Sequence, residues 1–195
     1  MKHCYIDTET TGLNPAKHEI IEIAIITENE DGTFERWHTK IKPDHIETAH
    51  PKALEVNGYT PEAWEGAPNF DDVVPEITSR LTGSILVGHN VNFDIRFIEA
   101  LLDKANCELK ISHRGTIDTI TLVREHLLPT GLPSPSLDKT RRWLGWSLEG
   151  AHSALKDAED CMRLRHTLER STWLQRQIWG FLGSRRFSAD KTSME

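Results

Sequence analysis

The sequence predicts an α/β domain whose five strands form a mixed sheet flanked by helices. Residues 3–41 read as three strands joined by turns, the signature of an antiparallel meander. Residues 84–128 alternate short apolar runs with helical patterns, as parallel strands with crossover helices do. The 195 residues fit one domain with a substantial core.

The first strand opens at His3-Cys4-Tyr5-Ile6 and carries Asp7 and Glu9 before turning at Gly12. Ile20 to Thr27 is dense in β-branched residues and reads as an interior strand. Asp31-Gly32 is a hairpin signal, and Thr33 to Ile41 returns as the partner strand. Pro43, Pro51, Pro61 and Pro68 confine residues 43–70 to loop and short helices, one at Ala49 to Val56 and one starting at Thr60-Pro61-Glu62. Asn69 to Thr82 has helical spacing in Phe70, Val73, Val74, Ile77 and Leu81, and stops at Gly83. Ser84 to Val87 is a short strand, residues 88–92 are a turn, and Asn92 is expected to cap a helix from Phe93 to Ala105. Ile117 starts a strand-to-helix step capped by Asp118, with the helix Thr119 to Leu128 ending before Pro129. Ser136 caps a helix to Leu144 that stops at Gly145. A last long helix is expected from Ala154 to Ile178, and Ser184 to Glu195 should fray.

Composition sets outer limits. Hydrophobic residues are 37% and charged residues 27%, as in a globular protein. No apolar run reaches the roughly 20 residues that span a bilayer, and the chain enters a strand at once with no signal peptide, so a cytoplasmic protein is expected. Cys4, Cys107 and Cys161 are far apart and read as buried reduced thiols. The net charge of −7 argues against broad basic patches on nucleic acid, but not against holding a few nucleotides beside bound cations.

Asp7 and Glu9 are two apart on a strand, so they share a face and repel unless a cation lies between them. Asp94 shares a helix face with Phe97, Ile98 and Leu101, a buried stripe on which a carboxylate needs a partner. Asp157 heads a second stripe with Cys161, Leu164 and Leu168. Ser153 is a natural N-cap, which leaves His152 just outside that helix. Four carboxylates and a histidine at element ends suit Mg²⁺ or Mn²⁺, hard cations that prefer carboxylate oxygens.

The stretches Asp7-Thr-Glu9-Thr10-Thr11-Gly12-Leu13, His89-Asn90-Val-Asn-Phe-Asp94 and His152-Ser-Ala-Leu-Lys-Asp157, in that order, resemble the three motifs of the DEDDh 3′→5′ exonucleases. The resemblance covers residues 1–172 and leaves 173–195 as a helix end and polar tail. It implies a ribonuclease H-like fold and hydrolysis with two divalent cations. Asp7 would bridge both ions, Glu9 and Asp157 would hold the one that activates water, Asp94 would hold the second, and His152 would be the general base. Thr10, Thr11, Gly12 and Leu13 would line the terminal nucleotide, with Asn90 also at the substrate. Epsilon-type members of the family carry a glutamate and, five residues on, a histidine where this chain has Lys52 and Asn57. Asn57 is then expected to hydrogen-bond a sugar or base.

The implied function is release of nucleoside monophosphates from the 3′ end of single-stranded DNA, in proofreading or repair. Trimming of RNA ends is the alternative, since both chemistries use the same five residues. A non-catalytic, polymerase-associated domain is a third reading, which the full ligand set disfavours. Trp173 to Leu182 is unusually aromatic. Packing of Trp173, Leu174 and Ile178 on the domain competes there with docking of a polymerase or a second copy of the chain. Gln175, Ile178 and Phe181 loosely match the spacing of a clamp-binding peptide.

Overall fold

The computed structural model describes residues 1–105 and 114–192; Cys107 falls outside them. The strands are β1 (His3–Thr10), β2 (Ile20–Glu28), β3 (Phe34–Lys40), β4 (Ile85–Gly88) and β5 (Gly115–Asp118). They form one mixed sheet in the order β3-β2-β1-β4-β5. β1 pairs antiparallel with β2 and parallel with β4, so it is the seam between the meander and the crossover half. That seam matters because ligands of such sheets gather at the carboxyl ends of the strands.

β2 is buried from Ile20 to Thr27, which accounts for its unbroken apolar run. Each fully buried isoleucine there contributes about 1.5–3 kcal/mol. Along β1 the side chains alternate. Cys4 and Ile6 join the core under the helices α2 (Phe70–Leu81) and α3 (Val91–Lys104). Tyr5 faces the other way, onto α6 (Ala154–Glu169). Asp7 and Glu9 continue the odd series and therefore face α6 as well. Ala154 and Ala158 pack against Tyr5, Ala24, Ile26 and Val87, and small residues on both sides let helix and sheet approach closely.

The remaining α-helices among the described residues are α1 (Pro51–Val56), α4 (Thr119–His126), α5 (Leu137–Leu144) and α7 (Trp173–Thr192). α4, α5 and the far side of α6 enclose a second core around Trp143, Leu127, Leu164 and Leu168, with Trp179 and Phe187 of α7 against it. No helix among the described residues is long and apolar enough to cross a membrane.

Three expectations about helix ends are corrected. Asn92 does not cap α3; the cap position is Asn90, which takes a left-handed conformation at φ 73°. The expected helix from Ala154 to Ile178 is two helices. Ser171 folds its hydroxyl back to the Leu168 carbonyl, and Thr172 opens α7 with a reciprocal cap. Gln175 Oε1 accepts from the Thr172 N–H at 2.8 Å, and Thr172 Oγ1 accepts from the Gln175 N–H at 3.3 Å. Ser184 to Phe187 do not fray: α7 continues through Phe187, whose ring meets Trp143, and Arg186 donates to the Trp143 carbonyl at 2.6 Å, while residues 193–195 of that expectation lie outside the described residues.

The register of α7 also reverses one packing expectation. Trp173, Leu174 and Ile178 do not pack on the domain; they are 72%, 61% and 48% exposed. The glycines turn inward instead. Gly183 is buried against Trp143, and Gly180 meets Thr130.

Candidate active site

Asp7, Glu9 and Asp157 bring carboxylate oxygens within 4.8 Å of one another at the end of β1. Asp7 stands opposite Ala24, and Glu9 opposite Glu22, across the β1–β2 ladder. Beyond Glu9 the register slips, and the chain leaves the sheet towards Gly12. Asp157 arrives on the first turn of α6, which Ser153 caps by accepting from the Lys156 N–H.

Asp94 comes from α3, on the other side of the sheet, and is 4% exposed. Its Oδ1 accepts the Thr8 N–H at 2.9 Å and the Thr8 hydroxyl at 2.8 Å. The group is not among the three clustered ligands, yet its charge is felt by both Asp7 and Glu9.

Electrostatics follow from the crowding. Burial, then the charges of Asp94, Asp157 and Glu9, holds the Asp7 carboxyl well above the usual carboxylate range. Burial, then Asp157, Glu22 and Asp94, pushes Glu9 up to about 8. Burial raises Asp94 to about 7 against the opposing pull of the Thr8 hydrogen bonds. Burial also raises Asp157, opposed by Arg141 and His152. A site that resists ionisation this strongly is one that a multivalent cation would relieve. Its donors are all carboxylate oxygens, so it fits Mg²⁺ or Mn²⁺ rather than a soft metal.

His152 sits just before α6 at φ 65°. Its backbone N–H donates to Asp157 Oδ1 at 3.3 Å. Its imidazole lies at the rim, 45% exposed, with Nε2 3.4 Å from Asp138 Oδ2.

A cavity of about 450 Å³ opens beside the cluster, lined by Glu9, Thr10, Gly12, Leu13, Asn57 and Phe93 among others. Leu13 stands 81% exposed at its edge. A methyl group on Gly12 would come within 2.6 Å of the His18 ring, so a larger residue there would have to displace that ring. Asn57 donates to the Thr10 carbonyl at 2.8 Å, which ties α1 to the end of β1. Thr11 is placed differently from Thr10. Its side chain is fully buried and accepts the Glu19 N–H, so it builds the loop and does not line the cavity. Asn90 is also outside the cavity lining; its N–H donates to Asp118 Oδ1, which fixes the β4–α3 junction.

Three residues near the cluster were not found from the sequence. Glu22 is 6% exposed and accepts from His38 and from the Ala154 N–H. Arg141 is fully buried, with Nη2 2.6 Å from Asp157 Oδ1. Asp138 lies between Arg141 and His152. Only Glu22 carried a signal: it is the one charged residue inside the β-branched run Ile20 to Thr27, the strand that returns beside β1 and sets it opposite Glu9.

Known proteins resemble this chain over most of its length. Residues 4–164 match the family model described as exonuclease. DNA polymerase III subunit epsilon of Treponema pallidum is 32% identical over 162 residues, which is 83% of this chain and 74% of that protein. A PolC-type DNA polymerase III of Thermotoga petrophila is 35% identical over 154 residues, 78% of this chain but only 11% of that protein. E. coli exonuclease I, solved in complex with a dT13 oligonucleotide, superposes with a TM-score of 0.74 at 20% identity, covering 87% of this chain and 41% of its own. That superposition bears out the ribonuclease H-like fold. With the match running from β1 into α6, the chain belongs to the exonuclease family.

Proposed function

We propose that the chain is a metal-dependent 3′→5′ exonuclease that releases nucleoside monophosphates from single-stranded DNA. The observation that carries this reading is the meeting of Asp7, Glu9 and Asp157 beside the cavity under Leu13. Asp7, Glu9, Asp94 and Asp157 would hold two divalent cations. When bound, such ions would stabilise the attacking and leaving oxygens of a phosphodiester displacement.

The protein's own residues do the rest. The terminal nucleotide enters the cavity, with its base against Leu13 and Phe93 and its sugar near Thr10 and Asn57. His152, exposed at the rim, takes a proton from water as the water oxygen attacks the terminal phosphorus. The bond from phosphorus to the preceding 3′ oxygen breaks. A 5′-monophosphate leaves, and the shortened strand keeps a 3′ hydroxyl.

DNA is favoured as substrate because the similar proteins are named as DNA polymerase III subunits, and because exonuclease I holds a dT13 oligonucleotide. A replicative polymerase is the corresponding partner. The test degrades 3′-labelled and 5′-labelled DNA and RNA oligonucleotides with and without Mg²⁺. Expected are mononucleotides released from the 3′ end of DNA only when metal is present. Preferential RNA trimming would replace the substrate, and unchanged activity in Asp7→Ala and His152→Ala would overturn the site.

A further inference from the structure

Arg141 is a charged residue with no exposed surface, placed against the metal-ligand cluster. Its guanidinium reaches three carboxylates: Nε to Asp160 Oδ2 at 2.7 Å, Nη2 to Asp157 Oδ1 at 2.6 Å, and Nη1 to Asp138 Oδ1 at 2.9 Å. Asp160 is 2% exposed and is shared, with Oδ2 on Arg141 and Oδ1 on Lys156 Nζ at 2.8 Å, so one carboxylate serves two cations and Arg141 keeps charge for other partners. The two remaining contacts go to groups at the reaction site.

We propose that Arg141 is a positioning residue for the nuclease reaction, a built-in cation that holds Asp157 directly and His152 through Asp138. The inference rests on the exonuclease reading above. Asp157 Oδ1 is occupied by Nη2 and by the His152 N–H, so Oδ2 is the oxygen presented to a metal. The carboxylate is thereby held to one-point ligation. Asp138 divides its oxygens, Oδ1 to Arg141 and Oδ2 to His152 Nε2, and so relays a fixed guanidinium plane to the imidazole. A lysine would supply the charge without the fork.

The assignment separates metal binding from turnover. Arg141 shares the charge of Asp157 and repels a cation bound at Oδ2, so the arginine weakens binding while it aligns the catalytic groups. A buried arginine removed alone leaves Asp160 unpaired and can unfold the protein. The double variant Arg141→Leu/Asp160→Leu removes one charge of each sign and leaves the net charge of the buried cluster unchanged. Expected for it is Mn²⁺ binding to the substrate-free protein that is tighter by about tenfold, from loss of a like charge against the ligand. Its kcat at saturating Mn²⁺ should fall by roughly 10–100-fold, with the oligonucleotide KM little changed. Asp138→Asn, at a half-exposed position that tolerates substitution, should lower kcat and leave Mn²⁺ affinity unchanged.

Calorimetry reads the affinity without any activity. Wild-type Mn²⁺ affinity in the double variant, or wild-type kcat in Asp138→Asn, would reduce Arg141 to a structural partner of Asp160. Failure of the double variant to fold, together with wild-type kcat in Asp138→Asn, would overturn the proposal equally. An inactive wild-type chain would sink the exonuclease reading, and the Mn²⁺ affinities would still decide whether Arg141 repels a cation at Asp157.

Discussion

Thr8 gives both its backbone N–H and its hydroxyl to a single oxygen of Asp94. Two donors on Oδ1 fix the carboxylate from the far side of the sheet and leave Oδ2 for the site. Thr8→Val keeps the shape and the backbone bond but removes the hydroxyl. The expected loss is about 1–2 kcal/mol, because a buried charged acceptor loses one donor. Nuclease activity should fall with it, and Thr8→Ser should restore both. Thermal melts and rates at saturating Mg²⁺ check this; wild-type behaviour of Thr8→Val would show that the backbone N–H alone suffices.

Raised carboxyl pKa values make a signed prediction for the metal-free protein. Glu9 stands at about 8 and Asp94 at about 7, with Asp7 raised as well. In the unfolded chain such groups lose their protons near pH 4. Between pH 4 and pH 8 the folded state therefore holds more protons than the unfolded state, and stability falls as pH rises. Divalent cations replace those protons as the neutralising charge. In EDTA the Tm should drop from pH 5 to pH 8, and added Mn²⁺ should raise it more at pH 8 than at pH 5. An equal Mn²⁺ shift at both values would mean that the cluster does not bind the ion.

The part of the site that was legible in the sequence is the part set by period. Asp7 and Glu9 share a face because a strand alternates, and Asp157 follows the Cys161–Leu164–Leu168 stripe because a helix repeats. Arg141 was not legible: an arginine in Arg141-Arg142 reads as solvated, and its burial depends on carboxylates at Asp138, Asp157 and Asp160 that meet only in the fold. The cap of α3 was misplaced because Asn92 looked the better cap, whereas the tight β4–α3 step needs, at Asn90, a residue that tolerates positive φ. The start of α7 was legible but overlooked. Thr172-Trp-Leu-Gln175 is a capping box, and apolar periodicity across Arg170 hid it.

Leu13 offers a test of the cavity that stability cannot confuse. The side chain is 81% exposed, so Leu13→Ala should leave the Tm nearly unchanged. If the residue packs against the terminal base, its loss should raise the oligonucleotide KM about tenfold, near 1.4 kcal/mol of contact. The effect should vanish for a substrate whose terminal nucleotide lacks a base. A KM unchanged for the normal substrate would place the 3′ end elsewhere.

Gly183 decides whether α7 is integral to the domain. A glycine inside an exposed helix weakens it by about 1 kcal/mol relative to alanine, so helix propensity alone makes Gly183→Ala stabilising. Here the glycine is buried, and a Cβ would run into the Trp143 ring. Neither partner yields easily, since Trp143 is 1% exposed and Phe187 rests on it. Overpacking of this kind costs about 1–3 kcal/mol. Gly183→Ala should therefore lower the Tm by several degrees, while Ser184→Ala, on the exposed side of the same turn, should not. A higher Tm in Gly183→Ala would mean that α7 rests loosely on α5 and that the domain's second core closes without it.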